Sequence, residues 1–233
     1  MGPGASVRGV MPFDAVVVAA GSSSRFGEAD KLTIDLEGRP VVAWSLAAFS
    51  AVEGLDRLVL VVAPERVDEF VALARTWLPG RSLEVVAGGA RRRDSVEGGL
   101  RACRNRYVAV HDGARPLVTA ELIVRVVAAA DGQPGAIAAT PVTDTIKEVR
   151  DGVVNGHPHR SRLWAAQTPQ VVLRQAWLDA AGMGDDDETD DAAMLSRLGL
   201  ECVVVDAGAD NLKITRRTDL DAAAAILRRR MAP

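Results

Sequence analysis

The run Ala19-Ala20-Gly21-Ser22-Ser23-Ser24-Arg25-Phe26-Gly27, closed by Lys31, carries the residue types that bind a polyphosphate. It follows the mostly apolar stretch Asp14 to Ala20, which reads as a buried strand. A strand that breaks into glycine and serines leaves backbone N–H groups at its end, and small residues let an anion approach them closely. Arg25 and Lys31 add two cations to the same turn. Two better-known phosphate loops do not fit. A P-loop needs Lys directly after its second Gly and then Ser or Thr, but Gly27 precedes Glu28 and Lys31 precedes Leu32. The dinucleotide fingerprint needs three glycines in the pattern G-x-G-x-x-G, and Gly21 and Gly27 lack that spacing. An ordinary loop after a strand would have a similar composition, so the run needs company.

The company comes from three further turns. Asp112 closes an apolar stretch and precedes Gly113, where a carboxylate could hold Mg2+ against phosphate oxygens or simply cap the turn. Arg115, three positions on, suits a phosphate, Asp112 itself or the turn. In Gly88-Gly89-Ala90-Arg91-Arg92-Arg93-Asp94-Ser95 the glycines admit a flat ring and Ser95 offers a hydroxyl, while Asp94 could cap the following helix. Three consecutive arginines cannot all face one ligand, so at least one is expected in solvent. Lys213 is a third candidate cation. Thr145, Arg160 and Thr168 could read a second substrate. The acidic run Asp185 to Asp191 reads as a solvated loop that caps the next helix. His111, His157 and His159 have no Ser or Cys partner in a triad-like motif. A phosphate monoester, largely dianionic at neutral pH, needs no general base to attack. Transfer to it depends on positioning and on cations.

These turns must be held by a scaffold. The chain has 233 residues, 48% hydrophobic and 25% charged, enough for one α/β domain with a sizeable core. Strands are predicted at Ala15–Ala20, Arg57–Val62, Leu83–Val86, Tyr107–His111, Ala136–Thr140 and Cys202–Val205. Helices are predicted at Pro40–Ser50, Glu65–Leu78, Asp94–Cys103, Ala120–Ala130, Leu173–Ala181 and Thr218–Met231. This alternation of apolar strands and helices argues for a mostly parallel sheet covered on both faces. Ligands of such sheets sit at the carboxyl ends of the strands, where Gly21 and Asp112 both fall. Residues 1–12 read as a loose tail. Residues 141–169 break the alternation, with Asp151-Gly152 as a hairpin turn, and read as a projecting β-arm. Such an arm needs a partner subunit to cover it.

Composition narrows the partners. A formal net charge of −3 and 4% aromatic residues give no expectation of nucleic acid. No run approaches the roughly 18 apolar residues that span a bilayer. Two cysteines, Cys103 and Cys202, suggest neither a metal pair nor a disulfide framework, and a cytoplasmic setting is expected.

In order along the chain stand the first loop with Lys31, Gly88-Gly89 with Asp94-Ser95-Val96, and His111-Asp112-Gly113-Ala114-Arg115-Pro116. Then come Pro141-Val142-Thr143-Asp144-Thr145-Ile146-Lys147, Leu163-Trp164-Ala165-Ala166-Gln167-Thr168-Pro169-Gln170 and Asp210-Asn211-Leu212-Lys213-Ile214-Thr215. Together they resemble the 2-C-methyl-D-erythritol 4-phosphate cytidylyltransferase family from about Phe13 to Leu227. The resemblance implies a Rossmann-like nucleotidyltransferase sheet, and a homodimer joined through the β-arms. It implies transfer of CMP from CTP to methylerythritol phosphate in isoprenoid synthesis, with Mg2+ on Asp112. Arg25, Lys31 and Lys213 would neutralise the phosphates. Ala19, Ala20, Gly21 and Ser22 would meet the nucleotide, and Gly88, Gly89, Ser95 and Gly113 would line the cytidine pocket. Thr145 and Arg160 would bind the polyol phosphate across the dimer, with Arg115 and Thr168 nearby; Arg162 rivals Arg160. Ala90 stands where some relatives carry an acidic residue. A ribitol 5-phosphate cytidylyltransferase shares the same loops. A non-catalytic nucleotide sensor of the same fold would not need Arg25, Lys31, Asp112 and Lys213 together.

Overall fold

Valine and alanine dominate the central strands, and a strand with no polar face is stable only when both of its faces are covered. In the computed structural model, which describes residues 10–21, 26, 30–80, 82–184 and 188–232, that condition is met by a seven-stranded sheet between two layers of helices. The strands are β1 (Phe13–Ala19), β4 (Leu55–Val62), β5 (Leu83–Ala87), β6 (Tyr107–Asp112), β7 (Gly135–Pro141), β10 (Trp164–Leu173) and β11 (Val203–Asp206). Their order is β11-β7-β10-β6-β1-β4-β5, and only β10 runs antiparallel to its neighbours. The helices are α1 (Val41–Ser50), α2 (Val67–Trp77), α3 (Arg92–Ala102), α4 (Ala120–Ala130), α5 (Arg174–Gly182), α6 (Asp191–Ser196) and α7 (Arg217–Met231). Two short hairpins, β2 (Asp35–Leu36) with β3 (Arg39–Pro40) and β8 (Glu148–Arg150) with β9 (Val153–Gly156), stand outside the sheet.

Alternation along β1 shows how the core divides. Phe13, Ala15 and Val17 join Leu46, Phe49, Phe70 and Ile123 beneath α1, α2 and α4. Val16 faces the other way, with Val61, Val96, Leu100, Trp177 and Leu195 under α3, α5 and α6. A third cluster, holding Leu36, Val41, Leu117, Ile214, Ala223 and Leu227, fastens α7 across the end of the sheet. Asp14 is the polar exception inside β1. It is satisfied by the backbone N–H groups of Arg104 and Asn105 at 2.6 and 2.8 Å and by the Asn105 side chain at 2.9 Å. After β1 the chain fills one side of the sheet with β4 and β5, then crosses to place β6 on the other side. The loops after β1 and β6 therefore part, and the crevice between them lies over the carboxyl ends of both strands.

Several expected boundaries move. Val10 and Met11, at the end of the expected tail, pack against the core. The predicted Glu65 helix start is a 3-10 turn, Pro64–Arg66, leading into α2. Leu173 ends β10 rather than opening a helix. The largest difference is β10 itself. Its first residues, Trp164 to Pro169, belong to the central sheet, so the projecting segment is shorter than 141–169. Pro169 explains why the strand does not read as one, because proline cannot donate to a ladder. The register with β7 breaks between Ala166 and Gln170, and the proline sits in that break.

Candidate active site

The site begins where β1 ends. Ala19, Ala20 and Gly21 turn away from the sheet, and Ser22 and Arg25 lie outside the described residues. Lys31 is held beside this turn by its buried neighbour Leu32. The Leu32 N–H donates to Asp30 Oδ1 at 3.2 Å, and the Leu32 carbonyl accepts from Val42 N–H at 3.0 Å.

The β5 turn closes against it. Gly88 N–H donates to the Val62 carbonyl at 2.7 Å, tying the turn to the end of β4. A Cβ at Gly88 would stand 2.6 Å from Ala20 Cβ and 2.7 Å from Ser95 Oγ, and one at Gly89 would stand 2.4 Å from Asp94 Cβ. Glycine is thus required here by the packing of two protein loops, whatever ligand follows. Ser95 is buried, and its hydroxyl accepts from Gly89 N–H at 3.1 Å. Asp94 accepts from the Arg91 N–H at 3.1 Å, so it caps α3 as one of the two sequence readings had it.

The three arginines separate completely. The Arg91 guanidinium bonds Asp94 at 2.8 Å, Arg93 is buried and donates to the Ala181 carbonyl, and Arg92 reaches Asp191. Arg91 keeps 35% of its side chain exposed, so the expectation that at least one of them meets solvent stands. Arg91 pairs within its own helix start, whereas Arg92 reaches α6 and Arg93 reaches α5.

Asp112 is the hub. Its Oδ2 accepts from Lys213 Nζ at 2.7 Å and lies 3.8 Å from Arg115 Nε, and its Oδ1 lies 3.5 Å from Arg92 Nε. Burial alone would push this carboxyl up, but Lys213, Arg92 and Arg115 outweigh it and hold it well below the usual carboxylate range. Asp112 is therefore ionised at neutral pH. Burial pulls Arg115 below its ordinary value, with Asp112 opposing.

The cations reach Asp112 by separate routes. Lys213 is brought in by Ile214, whose N–H donates to the Ala114 carbonyl at 2.8 Å and whose side chain is fully buried in the α7 cluster. Arg115 is anchored by donating to the Asn211 carbonyl at 2.8 Å. Gly113 N–H donates to the Val18 carbonyl at 2.9 Å, tying the turn to β1.

Behind Asp112 sits a closed relay. His111 is fully buried, and burial pushes it down to about 4, so it is neutral. Its Nε2 faces the Arg115 carbonyl at 3.2 Å, which can only accept, so Nε2 carries the proton. Nδ1 must then accept from the Thr168 hydroxyl at 3.0 Å, and Thr168 Oγ1 in turn accepts from Asp112 N–H at 3.0 Å. Thr168 is buried, and its hydroxyl is committed to fixing Asp112.

Two clefts meet at this hub. The first, about 280 Å³, is lined by Ala19, Ala20, Gly21, Lys31, Gly89, Ala90, Arg91, Arg92, Ser95, Asp112, Ala114 and Lys213. The second, about 250 Å³, is lined by Arg92, Asp112, Arg115, Gln167, Thr168, Gln170, Thr189 and Lys213 among others. Arg92, Asp112 and Lys213 form their common wall. Most of the expected site residues thus converge. Gly88 and Gly113 stand behind the walls. Thr145 and Arg160 are exposed beside the β8–β9 hairpin, where Arg160 donates to the Thr143 carbonyl at 2.7 Å, and they line neither cleft. Arg92 and Asp191 were not singled out by the sequence. Two clefts that share a wall of Arg92, Asp112 and Lys213 suit two anionic ligands held side by side, as the joining of a nucleotide to a phosphorylated acceptor requires.

Comparison with known proteins agrees. The family model described as 2-C-methyl-D-erythritol 4-phosphate cytidylyltransferase matches residues 13–229. The chain belongs to that family. A 2-C-methyl-D-erythritol 4-phosphate cytidylyltransferase of Synechococcus sp. (strain WH7803) is 40% identical over 223 residues, covering 92% of this chain and 99% of its own. One from Bacillus licheniformis is 38% identical over 223 residues, covering 93% and 96%. Among solved structures, the 4-diphosphocytidyl-2C-methyl-D-erythritol synthase of Anaerococcus prevotii superposes with a TM-score of 0.83 at 27% identity, over 94% of this chain and 99% of that one. The mostly parallel sheet of this cytidylyltransferase family member is therefore the sheet of its relatives, and the crevice at the ends of β1 and β6 is where family membership and geometry meet.

Proposed function

We propose that this chain transfers CMP from CTP to 2-C-methyl-D-erythritol 4-phosphate, releasing pyrophosphate, and that the two clefts hold the two substrates. The observation that carries this is the wall of Arg92, Asp112 and Lys213 shared by the two clefts. The acceptor phosphate, an oxyanion, attacks the α-phosphorus. The new P–O bond forms as the bond to the β-phosphate oxygen breaks, and pyrophosphate leaves with that electron pair. No proton need be removed, which agrees with a His111 that is neutral, buried and already engaged at both nitrogens. Lys31, Arg92 and Lys213 offset the repulsion between the two anions. Arg25 belongs with them by its place in the first loop.

Asp112 is the residue that would hold Mg2+. Its carboxylate is ionised and borders both clefts. No cluster of three His, Cys, Asp or Glu that could hold a metal occurs among the described residues. One carboxylate suits a cation that takes its remaining ligands from phosphate oxygens and water. When bound, Mg2+ supplies charge neutralisation between phosphate oxygens.

The proposed active unit is a homodimer joined through the β8–β9 hairpin. Val149 is 59% exposed and Val153 68%, with Val154 also exposed, on a hairpin too small to cover itself, and Ile146 and Trp164 are exposed beside it. This supports a second copy as its cover, with Thr145 and Arg160 delivered to the acceptor of the neighbouring subunit. A cytoplasmic setting belongs to this proposal, and the unpaired thiols Cys103 and Cys202 are in keeping with it.

The test is nucleotide choice. A pocket that accepts a hydrogen bond from the cytosine amino group leaves that acceptor unpaired against uracil, which costs roughly 1–3 kcal/mol, or about 5- to 150-fold in kcat/KM. Pyrophosphate release with each nucleoside triphosphate is expected to favour CTP by that margin. Equal turnover of UTP, or preference for a purine, contradicts it.

A further inference from the structure

Asp191 has no exposed surface, although it closes an acidic run that reads as solvated. A buried carboxylate persists only when paired and fully hydrogen-bonded. Its Oδ1 accepts from Trp177 Nε1 at 3.2 Å and from one terminal nitrogen of Arg92 at 3.3 Å, and its Oδ2 accepts from the other at 2.8 Å. Both terminal nitrogens of Arg92 are thus engaged. Because guanidinium is planar, fixing that edge also fixes where the Nε edge points. It points to Asp112 Oδ1, 3.5 Å away. Asp191 is itself pinned, since its N–H and that of Ala192 both donate to Gln170 Oε1, at 3.0 and 3.1 Å. Asp190 caps α6 by accepting from Ala193 N–H at 2.9 Å. The chain of contacts runs from β10 through α6 and α3 to the carboxyl end of β6.

We propose that Asp191 is a positioning residue of the transfer reaction, holding the Arg92 guanidinium on the wall where the two clefts meet. The proposal rests on the cytidylyltransferase reading above. Stability alone does not call for this pair, because a buried ion pair is often replaced by apolar residues without loss. What an apolar pair cannot do is present a fixed cation edge where two phosphate anions converge. Arg92 lines both clefts, so it can act on the charge that builds between them.

The Asp191→Asn variant tests this. Asparagine keeps an oxygen for Trp177 but turns an NH2 group toward an Arg92 nitrogen, which releases the fork. With CTP and methylerythritol phosphate, kcat is expected to fall roughly 10- to 100-fold, the usual cost of losing an orienting partner. KM for CTP is expected to move less than about threefold. In an Arg92→Lys background, where no fork exists, Asp191→Asn is expected to add less than about twofold. An unchanged kcat, or the same loss in both backgrounds, overturns the proposal. If Asp191→Asn fails to fold, Arg92→Lys alone decides, because it keeps the cation beside Asp191. It is expected to show the same loss of kcat, and wild-type kcat in that variant overturns the proposal. An active wild type with an unchanged Asp191→Asn defeats this proposal alone, whereas an inactive wild type defeats the cytidylyltransferase reading with it.

Discussion

Asp112→Asn is expected to lower Mg2+-dependent pyrophosphate release by roughly two to four orders of magnitude, the scale of losing a transition-state stabiliser. Asparagine keeps the shape of the side chain and removes its charge. Lys213 at 2.7 Å, Arg92 at 3.5 Å and Arg115 at 3.8 Å then share no anion. The cations that should meet the phosphates would repel one another, and the proposed metal ligand would be gone. Lysine and arginine would not replace the cation that Asp112 would hold, because they act on phosphate oxygens only as hydrogen-bond donors. Since the neighbouring cations hold the Asp112 carboxyl well below its usual range against the pull of burial, mild acid does not mimic the substitution. The control is Glu84→Gln, which removes an exposed ion pair to Arg57 at 2.8 Å on the far edge of the sheet. Surface pairs are worth at most about 1 kcal/mol, and turnover there is expected to stay within about twofold of wild type. Near-normal release by Asp112→Asn would put the metal elsewhere.

Complementation between inactive variants is the second large effect. Thr145→Ala combined with Arg160→Ala is expected to weaken methylerythritol phosphate far more than CTP, and Lys31→Ala to abolish turnover. If the hairpin of one subunit serves the clefts of the other, a mixed dimer has one site with an intact Lys31 and an intact arm. Random exchange makes about half the dimers mixed, each with one working site, so about a quarter of wild-type turnover should return. Neither variant regains activity on mixing if each subunit serves itself. A fully active monomer in sedimentation would refute the shared site outright.

The sheet was legible because its strands are continuous apolar runs separated by helices, whereas the strand order was not, since it is set by long-range pairing. Nor was β10, because Pro169 sits in a register break between Trp164–Ala166, which pair only with β7, and Gln170–Val172, which pair on both sides. α6 has only six residues, too few for a periodicity to register. In the site, Asp112 and Lys213 could be named from their turns, but their contact at 2.7 Å joins residues 101 apart and depends on Ile214 seating beneath α7. Asp191 was hidden by its neighbours, since a run of carboxylates reads as solvated and nothing local says which one Trp177 and Arg92 enclose. Gly88 and Ser95 were assigned to the ligand, whereas their first obligation is to each other and to Ala20. Ser22, Arg25 and Asp185 to Asp187 lie outside the described residues.

The most direct measurement is the 31P NMR spectrum of wild-type protein incubated with Mg2+, CTP and 2-C-methyl-D-erythritol 4-phosphate, beside a second sample holding ribitol 5-phosphate. The expected result is loss of the acceptor monoester signal, with a cytidine diphosphate diester and pyrophosphate appearing in equal amounts, in the first sample and far more slowly in the second. An unchanged monoester signal, or equal conversion of ribitol 5-phosphate, would contradict the assignment.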